Sequence, residues 1–506
     1  MEKKWWTLIA VCTGTFMLLL DVTIVIVALP QIQVALHASF DDVEWVIDAY
    51  ALTLASLLLT SGVLADRYGR RRLFAIGLVI FTLGSLTCGL AQSPVMMIAS
   101  RSGQGIGGAI MYATSLALLA QAFRGKDRGV AFGIWGAITG IAVSLGPILG
   151  GAITTGMVAL AVTLWKVQES KEAHAGRPDW AGFVLLTVGL VSLVYGLTKA
   201  SETTWGNSAV VAALALGIVL LCVFVLVEFR ARHPMFDMSL FRVPTFVGGL
   251  VSAFTMNGSL FAVLLYLVLY LQDILGYSAL HTGLCLLTST SASFVAAAVS
   301  GRLSERVPVR YLIAPGLALV AAGLFLMTGL SGTSTWTHLL PGLIISGVGT
   351  GLVNPPLAST AVGVVPPQRA GMASGVNSTF RQVGFAVSIA ALGSIFVPRL
   401  QQHLRADLAS VPALARRSAQ TANLVRQGNV GQALRATPPH LRSDLERAIR
   451  SSFASGVDEL VLVTGIVALV GAIGALVLIR RQDFVARTAG AEPSSGAETS
   501  SAAVPG

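Results

Sequence analysis

Gly62-Val63-Leu64-Ala65-Asp66-Arg67-Tyr68-Gly69-Arg70-Arg71-Arg72 is a short, charged, glycine-punctuated turn between two long apolar runs. A link this short predicts two helices held side by side, and its arginines predict a place on the cytoplasmic face of a membrane. The surrounding chain has 506 residues, is 54% hydrophobic and 11% charged, and has a mean hydropathy of +0.76. Soluble domains carry about 25% charged residues, which argues against a water-soluble fold. Apolar runs of roughly twenty residues recur along the chain, each able to cross about 30 Å of hydrocarbon as a helix. Backbone groups in lipid must satisfy one another, which leaves helices or a closed barrel. Runs this continuous are not the alternating segments of a barrel. The fold class is an all-α polytopic membrane protein.

Working outward from the turn, spans are predicted at 7–29, 44–64, 73–91, 95–122, 130–153, 157–167, 180–198, 208–229, 245–271, 280–300, 311–330, 338–358, 371–397 and 457–479. Basic residues fall in alternate gaps: Lys3 and Lys4, the arginines of the turn, Arg124 with Lys126 and Arg128, and Lys166 with Lys171 and Arg177. The alternation continues with Arg230, Arg232 and Arg242, then Arg302, Arg306 and Arg310, then Arg369, and finally Arg480 and Arg481. Asp41, Asp42 and Glu44 occupy one of the intervening short loops. With basic loops inside, both termini are cytoplasmic and fourteen crossings fit. The net charge of +10 then reflects topology, and no nucleic-acid partner is expected. The first run, from Trp5, reads as a span and not a cleaved leader.

Two places strain this map. Loop 398–456 is expected outside although it is rich in arginine. Within it Leu441, Leu445, Ile449 and Phe453 recur every four residues, which predicts an amphipathic helix lying against the membrane. The sixth span, Met157 to Val167, provides roughly 16 Å of helix and is abnormally short.

The turn has an echo at Gly301–Arg310, and Gln104-Gly105-Ile106-Gly107-Gly108 is echoed by Ser346-Gly347-Val348-Gly349-Thr350-Gly351. Repeated halves around a midplane site are a common transporter plan. The expected organisation is an N-terminal bundle over residues 1–170, two inserted spans over 171–235, and a C-terminal bundle over 236–482 that contains extracytoplasmic loop 398–456. A disordered cytoplasmic tail is expected over 483–506.

Ionisable residues deep in apolar spans cost about 2.5–3.5 kcal/mol each and need a reason. Asp21 lies roughly 13 Å and Arg101 roughly 9 Å from the predicted outer face, so the two can meet. Asp48 is shallower and could face outside water. Burial favours a neutral carboxyl and a nearby guanidinium an ionised one, so Asp21, Asp48 and Arg101 are candidate proton-coupling residues. A static ion pair that fixes packing is the alternative. Gly146, Pro147, Gly150 and Gly151 end span five as a candidate seam between halves, with ordinary close packing as the alternative. Asn354-Pro355-Pro356 is expected to break span twelve. Arg381 and Gln382, with Asn354, Gln104, Asn257, Tyr266 and Gln272, are candidate cavity residues. The four cysteines and seven histidines show no metal-ligand spacing. No phosphate-binding loop or hydrolase motif appears, so neither enzyme chemistry nor a cofactor is expected, and transport energy must come from a gradient.

These residues resemble the fourteen-span drug:proton antiporter branch of the major facilitator superfamily. The likeness rests on Leu20-Asp21-Val22-Thr23 through Pro30, Trp45-Val46-Ile47-Asp48-Ala49-Tyr50, Arg101 with Gln104-Gly105, and Gly146-Pro147 with Gly150-Gly151. Asp179-Trp180 and Gly371-Met372-Ala373-Ser374-Gly375 with Arg381-Gln382 extend it to the C-terminal half. Two departures stand out. Ile26 replaces the family's usual asparagine, and a Trp-, Arg- and Phe-rich stretch that members carry between positions 151 and 158 is missing. The resemblance implies two six-helix bundles plus two inserted helices in the inner membrane. It implies proton-coupled efflux of drugs or other amphipathic, cationic or aromatic molecules, with Gly62, Asp66, Arg67, Gly69 and Arg70 forming the cytoplasmic gating loop. The implied partners are a small-molecule substrate, protons and the lipid bilayer. Export of a self-made metabolite such as an antibiotic or siderophore is the alternative, and a non-transporting receptor or scaffold is a further one.

Overall fold

The computed structural model describes residues 3–123, 179–231, 237–304, 306–332, 334–365, 370–409, 418–426 and 430–484, with isolated positions at 131–167 and 234. Predicted spans five and six fall almost wholly outside the described residues, as does the length of the sixth. Every described regular element is a helix. α1 is Lys3–Leu36, α2 Phe40–Tyr68, α3 Arg70–Gly89 and α4 Pro94–Ala122. α5 (Trp180–Glu202) and α6 (Ser208–Arg230) follow, then α7, which runs from Pro244 to Ile274 with two π-helical turns. α8 is Ala279–Leu303, α9 Arg310–Phe325, α10 Trp336–Gly363 and α11 Ala370–Ala409. Two short helices, α12 (Ser418–Arg426) and α13 (Val430–Ala436), lead to α14, Arg442–Leu478. Ten described helices are long and apolar enough to cross a bilayer, and α9 is a shorter apolar one.

The opening turn shrinks to a single residue. Gly69 alone joins α2 to α3, with φ 114° and ψ 125°, a backbone state that side chains oppose. The flanking helices do not lie side by side as the short link predicted: α2 and α3 touch each other far less than each touches α4. Glycine spacing in α4 explains this. A side chain at Gly105 would meet the Tyr50 carbonyl of α2, and one at Gly107 would meet the Phe81 amide of α3. α4 therefore wedges between its two predecessors.

The second half repeats the device. Gly347 abuts the Ser289 carbonyl of α8, and Gly349 abuts the Gly316 carbonyl of α9. α10 thus sits between α8 and α9 as α4 sits between α2 and α3, and the sequence echo is a structural one. The inserted pair is entered at Asp179, whose carboxylate accepts from the Gly182 amide at 2.9 Å and caps α5. α5 packs on α6 and also against α2 and α11, covering one seam between the halves from the side.

Three expectations need correction. α10 is not broken at Asn354-Pro355-Pro356 but runs through Pro341, Pro355 and Pro356. Pro356 lacks the N–H that would bond the Leu352 carbonyl, and Ser300 Oγ of α8 donates to that carbonyl instead, at 2.7 Å. The periodic stretch at Leu445, Ile449 and Phe453 is helical but does not lie on the membrane. It is the start of α14, and these side chains are buried in the protein core. There Phe453 meets Phe396 edge-on, with ring centroids 5.0 Å apart, and Ser452 Oγ donates to Asp407 at 3.2 Å. Finally, the tail expected to be disordered from residue 483 begins docked. Asp483 accepts from Thr245 Oγ1 at 2.7 Å, and Phe484 packs at Gly363.

Candidate functional site

α1 and α4 bring Asp21 and Arg101 together in the core of the N-terminal half. Arg101 Nη1 lies 2.5 Å from Asp21 Oδ2, with Arg101 only 1% exposed. Gln104, one turn along α4, ties the pair together. Its Nε2 donates to Asp21 Oδ1 at 2.9 Å and to Ser85 Oγ of α3 at 2.7 Å, while its Oε1 accepts from Arg101 Nη1 at 2.8 Å. Arg101 Nε donates to the Val46 carbonyl of α2 at 3.1 Å, and the guanidinium lies 4.2 Å from the Tyr50 ring centroid. Four helices therefore converge on one charge pair. Gln104, expected to line the cavity, is a buried member of this cluster.

Asp48 stands apart from the pair. It does not face outside water: it is fully buried, and neither carboxylate oxygen has a hydrogen-bond partner among the described residues. One turn earlier on the same face is Glu44, a buried acid at the edge of the predicted second span. Tyr266 Oη of α7 donates to Glu44 Oε1 at 2.9 Å, and the Glu44 carboxylate lies so close to Gly393 of α11 that a side chain there would collide with it. The two halves are joined at this level by further contacts. Gln272 Nε2 donates to the Val27 carbonyl of α1 at 2.7 Å, and the Phe40 and Phe396 rings lie 6.3 Å apart. Deeper along the same helix pair, Thr379 Oγ1 donates to the Ala55 carbonyl at 3.3 Å.

Arg381 and Asn354 meet in the C-terminal half. Arg381 Nη1 donates to Asn354 Oδ1 at 2.8 Å, and Nε donates to Asn377 Oδ1 at 3.3 Å. Gln382 is partly buried beside it. Asn257 opens the first π-helical turn of α7 and is likewise partly buried. Of the turn residues, Gly62 has open space around its α-carbon, Arg67 is exposed over the Tyr68 ring, and Arg70 begins α3. The Asp66 side chain and the seam residues Gly146, Pro147, Gly150 and Gly151 lie outside the described set.

The family model for the Major Facilitator Superfamily matches residues 11–389. The chain belongs to the Major Facilitator Superfamily. It is 36% identical over 417 residues to the multidrug resistance protein Stp of Mycobacterium tuberculosis, covering 79% of this chain and 78% of that one. It is 32% identical over 497 residues to the tetracenomycin C resistance and export protein of Streptomyces glaucescens, covering 94% and 91%. Among solved structures it resembles a bacterial homologue of the lysosomal transporter Spinster, in an inward-facing and occupied conformation. That match has a TM-score of 0.65 at 16% identity, covering 96% of this chain and 99% of the other. The fold is thus the all-α facilitator architecture, consistent with two six-helix bundles and inserted helices, of which α5 and α6 are the described pair. The superfamily chain is a multi-pass membrane transporter of small molecules.

Proposed function

We propose that this chain exports a self-made metabolite of antibiotic type across the cytoplasmic membrane in exchange for protons, with both termini cytoplasmic. The observation that carries the coupling is the Asp21–Arg101–Gln104 cluster, an acid and a cation buried together where helices of one half converge. Protonation of Asp21 removes the charge that holds Arg101 Nη1, which frees α1 to shift against α4. Arg101 in turn stabilises the ionised acid once the proton leaves. Asp48 is a second carrier on α2, buried with neither carboxylate oxygen hydrogen-bonded among the described residues. One proton crossing 100 mV releases about 2.3 kcal/mol, enough for roughly a fifty-fold gradient of a neutral solute.

The remaining roles follow from position. The Gly62–Arg72 turn gates the cytoplasmic side, Gly146, Pro147, Gly150 and Gly151 form the seam between halves, and the space between α4, α10 and α11 holds the cargo. Similarity over nearly the whole chain to a Streptomyces resistance and export protein supports export of a dedicated metabolite. Similarity to a mycobacterial multidrug resistance protein favours a second reading, broad drug efflux.

The test uses the full chain in proteoliposomes with a trapped pH dye and an imposed proton gradient, alongside a susceptibility panel in an expression host. Proton movement coupled to solute transport, lost in Asp21→Asn with the protein still folded, is expected. Unchanged coupling in that variant would reduce Asp21 to a structural acid. A narrow resistance spectrum supports the dedicated exporter, and a broad one the second reading. No transport of any solute returns the receptor or scaffold reading.

A further inference from the structure

Arg101 and Arg381, both within membrane-spanning helices, are held in different ways. Arg101 is matched by a carboxylate. Arg381 is not: its partners are the amide oxygens of Asn354 and Asn377, and among the described residues no acidic side chain lies within ion-pair distance. Amide oxygens orient a guanidinium without neutralising it. Of its five N–H donors, these bonds engage two, and Nη2 has no acceptor among the described residues. Arg381 lies about 16 Å along α11 from its start, yet it is only partly buried there. An unmatched cation at this depth is costly unless something anionic visits it.

We propose that Arg381 is the docking point for an acidic group on the transported molecule, so that the cargo is an amphipathic carboxylate or similar anion. Asn354 and Asn377 hold the guanidinium through Nη1 and Nε, which leaves Nη2 for the cargo. The Nη edge can give a carboxylate two parallel hydrogen bonds, the strongest fit a planar guanidinium offers. Gln382, the next residue of α11, is partly buried beside it. The proposal rests on the reading that cargo passes between the halves, and it replaces the expectation of cationic cargo.

The experiment compares pyrenebutyrate, pyrenebutanol and pyrenebutylamine, which share ring and chain and differ in head-group charge. Binding to the purified full chain is followed by quenching of its tryptophan fluorescence, without any gradient. The wild type is expected to bind the acid about tenfold more tightly than the alcohol or amine, as a charge-assisted pair allows. Arg381→Gln should bring the three within about threefold, and Arg381→Lys should keep the acid first. The proposal is overturned if the wild type holds the amine as tightly as the acid, a result that needs no variant to fold. It is also overturned if Arg381→Gln keeps the acid preference, or if that variant, still monodisperse, loses all three probes equally, which marks a packing clamp. An acid preference that persists while a proton gradient moves none of the probes upholds the inference and defeats proton-driven export instead.

Discussion

The two halves share one frame and differ in what they do with charge. In each, a glycine-spaced helix, α4 or α10, wedges between two predecessors, so that Gly107 and Gly349 occupy corresponding contacts. The position corresponding to Arg101 in the second half is Leu343, buried and apolar. The N-terminal half closes its charge internally through Asp21, whereas in the C-terminal half Arg381 of α11 has no acid beside it among the described residues. A repeat can thus conserve backbone packing while the two copies divide the chemistry. On this division one half handles the proton and the other meets the cargo.

The sharpest way to break the contrast is Arg101→Leu, which gives the first half the residue of the second. It strands Asp21 in the core and is expected to cost about 3–5 kcal/mol, the usual result of removing one member of a buried pair. Unfolding in detergent would measure this, and the Asp21→Asn and Arg101→Leu double variant should recover part of the loss. If Arg101→Leu alone is neutral, the pair does not organise the half.

Next in size, Gly107→Val and Gly349→Val test the shared frame. Both side chains would meet backbone of the neighbouring helix, which cannot yield as a side-chain tip can. Each should cost about 1–3 kcal/mol, seen as a lowered melting temperature, and the two losses should be similar. A large loss in one half only would show that the repeat is not mechanically equivalent.

The smallest effect is expected where the halves meet. Tyr266→Phe removes the hydrogen bond to Glu44 and should cost about 1 kcal/mol. Hydrogen exchange should then rise at the start of α2 and the middle of α7, with little change near Arg101. Unchanged exchange at both would mean that the Glu44 contact does not hold the halves together.

Much of the frame was legible because its signals are local. Hydrophobic run length located α1 to α11 and α14, and the glycine echo located the two wedges. Depth along the helices placed Asp21 opposite Arg101. What escaped needed partners from distant segments. Pro355 and Pro356 read as a break because the hydroxyl of Ser300, which satisfies the carbonyl that Pro356 frees, lies far away in sequence. The apolar stripe of Leu445, Ile449 and Phe453 fits lipid or protein equally well until the extension of α11 is found beside it.

Glu44 is a different case, since its signal was present. Ser39-Phe40-Asp41-Asp42 forms a capping box, with Asp42 N donating to Ser39 Oγ at 3.2 Å and Ser39 N donating to Asp42 Oδ2 at 2.9 Å. Read as a helix start, it moves α2 four residues earlier than the hydropathy boundary. Glu44 then falls one turn from Asp48, on the face that meets the other half.

The paired extensions of α11 and α14 have a practical consequence. A helix of 40 residues is roughly 60 Å long, about twice the hydrocarbon thickness. Packed against the start of α14 through Asp407 and Ser452, it carries ordered helix beyond the reach of the hydrocarbon. Such an asymmetric landmark gives particle images an up and a down, and gives a raised antibody fragment firm ground away from the moving core.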